Sequence, residues 1–126
     1  MSRLVLDAGA FVAFEKGKTG VRAYLAAARR LGVEVTTTSP VVGQVWRDAR
    51  RHALLARLLS ATHVRAPDER AARRAGEVLA KARHDDVVDA LVTVLVRHGD
   101  TVMTSDPDDI RSLLAAAGTR ATVIAI

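Results

Sequence analysis

Apolar residues fall along this chain in two alternating rhythms. Short runs that are apolar on both faces are separated by longer stretches in which apolar positions recur every three or four residues. Arg3-Leu4-Val5-Leu6 is the first short run and reads as a buried parallel strand. Runs at 33–37, 62–66, 101–104 and 121–124 read as four more, that from Thr62 being the weakest. The longer stretches predict helices. One follows Asp7 and runs through Phe14. Thr19 caps a second, to about Leu31, stopped by Gly32. Ser39 caps a third, with Pro40 in its first turn, to about Arg51. Others cover 52–60, then Pro67-Asp68-Glu69 to about Ala82. Asp85 caps the next, whose apolar face is Val87, Val88, Leu91, Val92, Leu95 and Val96, and Asp106-Pro107 opens the last, to about Ala117. Strands alternating with helices predict an α/β fold, a parallel sheet covered on both faces.

The length, 126 residues, fits a single domain over 1–126 with room for a core. Hydrophobic residues make up 49%, which excludes a disordered chain. Aromatics are 3%, so the core is aliphatic, with Trp46, Tyr24, Phe11 and Phe14 as its large rings. The absence of cysteine excludes disulfides, a thiol nucleophile and a Cys-ligated metal. No apolar run reaches the ~20 residues that span a bilayer, and the N-terminus reads as a strand rather than a signal peptide, so a cytoplasmic protein is expected. Lys and Arg number 19 against 14 acids, giving +5. A basic surface favours an anionic partner, nucleic acid or an acidic protein.

Open parallel sheets build their sites outside the carboxyl ends of the strands. Asp7 directly follows the first strand and Asp106 the fourth, so both fall on one sheet edge. Asp86 and Asp89 lie three apart and share a helix face. Asp89 stands among Val88, Ala90, Leu91 and Val92, where an unpaired acid is costly. Asp108 suits the first turn of the last helix, and Asp109 lies beside Asp106. Carboxylates gathered this way repel one another, and a divalent cation removes the penalty. Oxygen-only donors point to Mg²⁺ or Mn²⁺ rather than Zn²⁺. An acidic metal pocket in a basic domain is the electrostatic design of a nuclease.

Three stretches, LVLDAGAF, DVVDALVTV and VMTSDPDDIRSL, resemble in order and spacing the PIN-domain ribonucleases, most nearly the VapC-type toxins of toxin–antitoxin pairs. The resemblance spans the whole chain. It implies a three-layer α/β/α sandwich with a central parallel sheet. It implies Mg²⁺- or Mn²⁺-dependent cleavage of RNA by metal-activated water, a cytoplasmic homodimer and a VapB-like antitoxin that enters the active-site groove. It assigns Asp7, Asp89 and Asp106 as catalytic residues and metal ligands, with Asp109 as an auxiliary ligand. One position departs from the family pattern. Where the family carries Glu, in a stretch resembling Ala-Glu-Val-Trp, this chain has Gln44. An amide oxygen still accepts a hydrogen bond but brings no charge.

That departure keeps a second reading open, a catalytically weakened PIN-like module that binds RNA or a partner. Asp48, a turn beyond Gln44 on the expected helix, is either a substitute acid or the partner of an Arg on that helix. Arg47, Arg50 and Arg51 are candidates to bind RNA or to meet the antitoxin. Arg73 and Arg74 read as a solvated face, and His84 as a surface or capping residue. Ser39 and Ser105 have no His–Asp arrangement for a serine hydrolase. A receiver-like domain with Asp7 as phosphate acceptor fits less well, because its acids would pair near the first strand.

Overall fold

Three consecutive apolar residues that need cover on both faces belong at the centre of a sheet, and that is where β1 (Leu4–Leu6) lies. A computed structural model describes residues 2–126. Their other strands are β2 (Val35–Thr38), β3 (His63–Arg65), β4 (Thr101–Thr104) and β5 (Thr122–Ala125). All five pair in parallel, in the order β3-β2-β1-β4-β5. The fold is therefore the expected α/β architecture around a central parallel sheet. Seven helices among the described residues link the strands: α1 (Ala8–Glu15), α2 (Thr19–Arg30), α3 (Ser39–Val45), α4 (Ala53–Ser60), α5 (Glu69–Ala82), α6 (Val87–Leu95) and α7 (Pro107–Ala117). They pack mainly as two groups, α1 with α2, α3 and α4, and α5, α6 and α7 with one another, with α3 also touching α6.

The core is aliphatic, as the composition requires: Leu4, Leu6, Leu55, Met103, Ile110 and Leu113 are sealed from solvent. Of the four rings expected there, only Phe11 is fully buried. Val21, Leu25 and Ala28 form the inward stripe of α2, which turns Tyr24 outward. Phe14 and Trp46 are half-buried at the margin. The polar run of β2 is accommodated by hydroxyl bonds to sheet carbonyls, Thr36 Oγ1 to His63 O and Thr37 Oγ1 to Leu6 O, both at 2.8 Å. At the amino edge of the sheet, buried Asp100 accepts from Arg3 N, Nε and Nη2 and from Arg97 N. Burial alone would raise the Asp100 carboxyl, but the bonds from Arg3 and Arg97 outweigh it and hold it below the ordinary range.

Helix boundaries differ from the expectation at four places. Thr38, still extended, precedes α3 in place of Ser39, because β2 runs one residue further. Lys18 takes the corresponding place before α2, so Thr19 is its first residue rather than its cap. Asp86, not Asp85, caps α6, since its Oδ1 accepts from both Val88 N and Asp89 N. The largest difference is the end of α3, at Val45 rather than near Arg51. Trp46 turns extended (ψ 132°), and its ring lies 5.3 Å from that of His52. Asp48 Oδ1 then accepts from Arg50 N, and Arg51 N bonds Asp48 O. A short polar side chain has offered the backbone an alternative to the helix. Arg47, Asp48, Arg50 and Arg51 therefore stand on a loop, and Asp48 forms no ion pair among the described residues.

Candidate metal centre

Asp7 leaves β1 at its carboxyl end and caps α1, with Oδ1 accepting from Ala10 N at 3.0 Å. Leu6 pairs with Met103 across β1 and β4, so Asp7 follows beside Thr104. Thr104 Oγ1 donates to Asp7 Oδ2 and itself accepts from Asp106 N at 2.9 Å. One buried hydroxyl thus links the first acid to the backbone of the last. Gly9 makes the approach possible, because a Cβ there would overlap the Ser105 side chain. Burial pushes the Asp7 carboxyl up. The bonds from Thr104 and Ala10 pull it down, the Asp106 charge adds to the rise, and the Ser105 N–H opposes it. Asp106 precedes α7 without capping it through its side chain, which is exposed.

Asp89 comes from a different layer, the first turn of α6. Its carboxyl is pushed up to about 6, first by burial, then by the charges of Asp86, Asp7 and Asp106, while His84 pulls the other way. The expected acids therefore feel one another across three elements. Their oxygens are not the tightest group, however. Among the described residues, the only set of three candidate ligands with atoms within 4.8 Å of one another is His84, Asp89 and Asp109. His84 Nε2 lies 3.4 Å from Asp109 Oδ2. Sequence reasoning read His84 as a surface or capping residue and missed this grouping, since only tertiary packing sets the end of α5 against α7. On the Asp7 side, Thr38 Oγ1 is buried and without a hydrogen-bond partner. Continuing the β1–β2 register, Val5 to Thr36, places Thr38 beside Asp7. Repelling carboxylates and an orphaned hydroxyl on one edge fit a hard divalent cation.

No family model matches the chain, and no curated protein does. Solved structures do. The DNA-bound VapBC structure from Salmonella typhimurium superposes with a TM-score of 0.68 at 16% identity, covering 98% of each chain. VapBC2 from Rickettsia felis, bound to a DNA fragment from its promoter, gives 0.69 at 11% identity over 96% of this chain and 98% of that one. FitAcB from Neisseria gonorrhoeae gives 0.62 at 14%, over 94% and 96%. The fold is PIN-like. At these identities the likeness is one of fold. On the PIN-like frame, Gln44 is exposed on α3, which packs against α6. Arg47 Nη1 folds back onto Gly43 O and Trp46 O, at 3.0 and 2.8 Å. Arg50 and Arg51 are exposed and form no ion pair among the described residues.

A groove lies elsewhere. It has a volume of about 730 Å³ and runs between α2 and α4, near the amino ends of β2 and β3. Phe14, Leu25, Leu54 and Leu58 make it apolar, and Arg22, Arg29, Arg30 and Arg57 also line it. The acids sit at the carboxyl ends of the strands, so the groove and the candidate centre are separate features. No helix among the described residues is long and apolar enough to cross a membrane.

Proposed function

We propose that the chain is a single-domain Mg²⁺- or Mn²⁺-dependent endoribonuclease, the cytoplasmic toxin of a type II toxin–antitoxin pair. What supports this reading is the placing of Asp7 and Asp106 at one sheet edge, joined through Thr104, with the Asp89 carboxyl of α6 pushed up by the charges of both. Asp7, Asp89 and Asp106 are the ligands in this reading, with Asp109 alongside. A divalent cation held there supplies the positive charge that in-line attack of water on a phosphodiester needs. Thr104 fixes Asp7 and the Asp106 backbone relative to each other before substrate arrives. The exposed loop with Arg47, Arg50 and Arg51 holds the RNA backbone. Because water and not the ribose 2′-hydroxyl is the nucleophile, products carry a 5′-phosphate and a 3′-hydroxyl.

The partner in this reading is a VapB-like antitoxin, supported by the VapBC structures to which the chain is similar. The apolar, arginine-lined groove between α2 and α4 has the chemistry to take an amphipathic acidic segment of such a partner. The homodimer implied by the resemblance belongs to the same proposal.

The test is incubation of the purified protein with cellular RNA in Mg²⁺ or EDTA, followed by mapping of fragment ends. Cleavage that needs the metal, is lost in Asp7→Asn and leaves 5′-phosphates is expected. Cleavage that persists in EDTA, or that leaves 2′,3′-cyclic ends, sinks the mechanism.

Gln44 favours a second reading, the weakened binding module. Gln44→Glu discriminates. Faster cleavage at limiting Mg²⁺ supports a nuclease short of one charge, whereas RNA binding without cleavage in both forms supports the module.

A further inference from the structure

His84 has all three of its nitrogens engaged, each by a different helix or its cap. Its backbone N–H bonds Leu79 O at 3.0 Å, closing the end of α5 after Arg83 turns left-handed (φ 54°). Its Nδ1 accepts from Asp86 N at 3.2 Å, at the cap of α6. Its Nε2 faces Asp109 Oδ2 on α7 at 3.4 Å. A backbone amide can only donate, so the lone pair of Nδ1 is occupied and the ring proton sits on Nε2. A metal-ligating imidazole needs the reverse: a bare nitrogen toward the ion and an N–H on the other side, given to an acceptor. The grouping of His84 with Asp89 and Asp109 is thus not a nitrogen-ligated metal site. Its Nε2 stands 3.4 Å from a carboxylate oxygen, a contact longer than an ordinary N–H···O bond.

Asp109 is about half exposed and lies close to Asp89, another acid. Left alone, like charges and solvent would draw it outward. We propose that His84 is a positioning residue, whose Nε2–H holds the Asp109 carboxylate turned toward Asp89 and so preorganises the acid centre without binding the metal. The inference rests on the proposed metal centre and deepens it. It adds a residue outside the ligand set that orients one donor and, through Asp86, anchors the start of the helix bearing another.

Two isosteric substitutions separate the roles of the ring. His84→Asn keeps an acceptor at the Nδ1 position, and so the α6 cap, but has no donor for Asp109. His84→Gln keeps a donor at the Nε2 position. Binding of Mn²⁺ alone is measured by electron paramagnetic resonance on wild type, both variants and Asp89→Asn, with melting curves alongside. His84→Asn should weaken Mn²⁺ binding about tenfold with an unchanged melting temperature, and His84→Gln should recover most of it. If Asp89→Asn weakens binding but His84→Asn does not, the positioning role falls and the metal centre stands. If Asp89→Asn has no effect, the centre itself falls, and this inference with it. A measurement on wild type needs no variant: ¹H–¹⁵N correlation of the labelled imidazole should give the Nε2–H tautomer with and without Mg²⁺. The Nδ1–H tautomer would overturn the inference.

Discussion

Replacing Asp89 by Asn should make the metal-free protein more stable at alkaline pH, although it damages the proposed centre. The substitution keeps the shape of the side chain and removes its charge. On folding, the Asp89 carboxyl moves from 3.8 to about 6. At 1.36 kcal/mol per pH unit that is about 3 kcal/mol against the ionised form. The side chain is only half-buried, and solvent screening leaves about half of this, about 1.5 kcal/mol. The sign follows from linkage. The folded state holds this proton more tightly than the unfolded state, so the charge opposes folding fully above pH 6. The opposition shrinks as pH falls through 6 and disappears below 3.8. In EDTA, Asp89→Asn should therefore exceed wild type by about 1.5 kcal/mol at pH 8 and by about 0.5 kcal/mol at pH 4. Urea unfolding followed by the single tryptophan, Trp46, reads both values. With Mn²⁺ at 100 times its dissociation constant, wild type should gain about 2.7 kcal/mol and Asp89→Asn should gain less, which narrows the gap between them. A variant less stable than wild type at pH 8 in EDTA, or a gain that ignores pH, would refute the reasoning.

Gly9→Ala forces a methyl group into the Ser105 side chain, with Ser105 N only 3.2 Å away, and should cost about 1–3 kcal/mol in urea unfolding. Adding Ser105→Gly should recover part of it, and no recovery would show that the clash lies elsewhere. Asp100→Ala strands the buried Arg3 guanidinium and should cost about 3–5 kcal/mol by the same measurement. Because folding lowers the Asp100 carboxyl below 3.8, wild type should lose this contribution as pH falls through that lower value, and the deficit of the variant should narrow in acid. Replacing Arg47, Arg50 and Arg51 together by Ala should weaken RNA binding and flatten its salt dependence, the slope falling by about 0.7 for each phosphate that is no longer neutralised. An unchanged slope would remove this loop from the RNA surface.

The order of strands and helices, the parallel sheet and the edge carrying Asp7 and Asp106 were legible in the sequence, because they depend on local periodicity and on one topological rule. Each apolar run had to be covered on both faces, and parallel β1 and β4 then bring their following acids to one edge. Three-dimensional packing decided the rest. Asp48 and Arg50 closed a turn that ended α3 early, a competition between side-chain and helical hydrogen bonds that propensity alone does not resolve. Asp86 outdid Asp85 as the cap because its oxygen reached two amides rather than none. The need for a glycine at position 9 became visible only once β4 delivered Ser105 against it. His84 read as a surface or capping residue without a link to Asp109, which is 25 positions away, and nothing local says that the end of α5 meets the first turn of α7. Periodicity reports which face of an element is buried. Which polar atoms then meet depends on how the buried faces of distant elements dock, and that is a property of the packed chain.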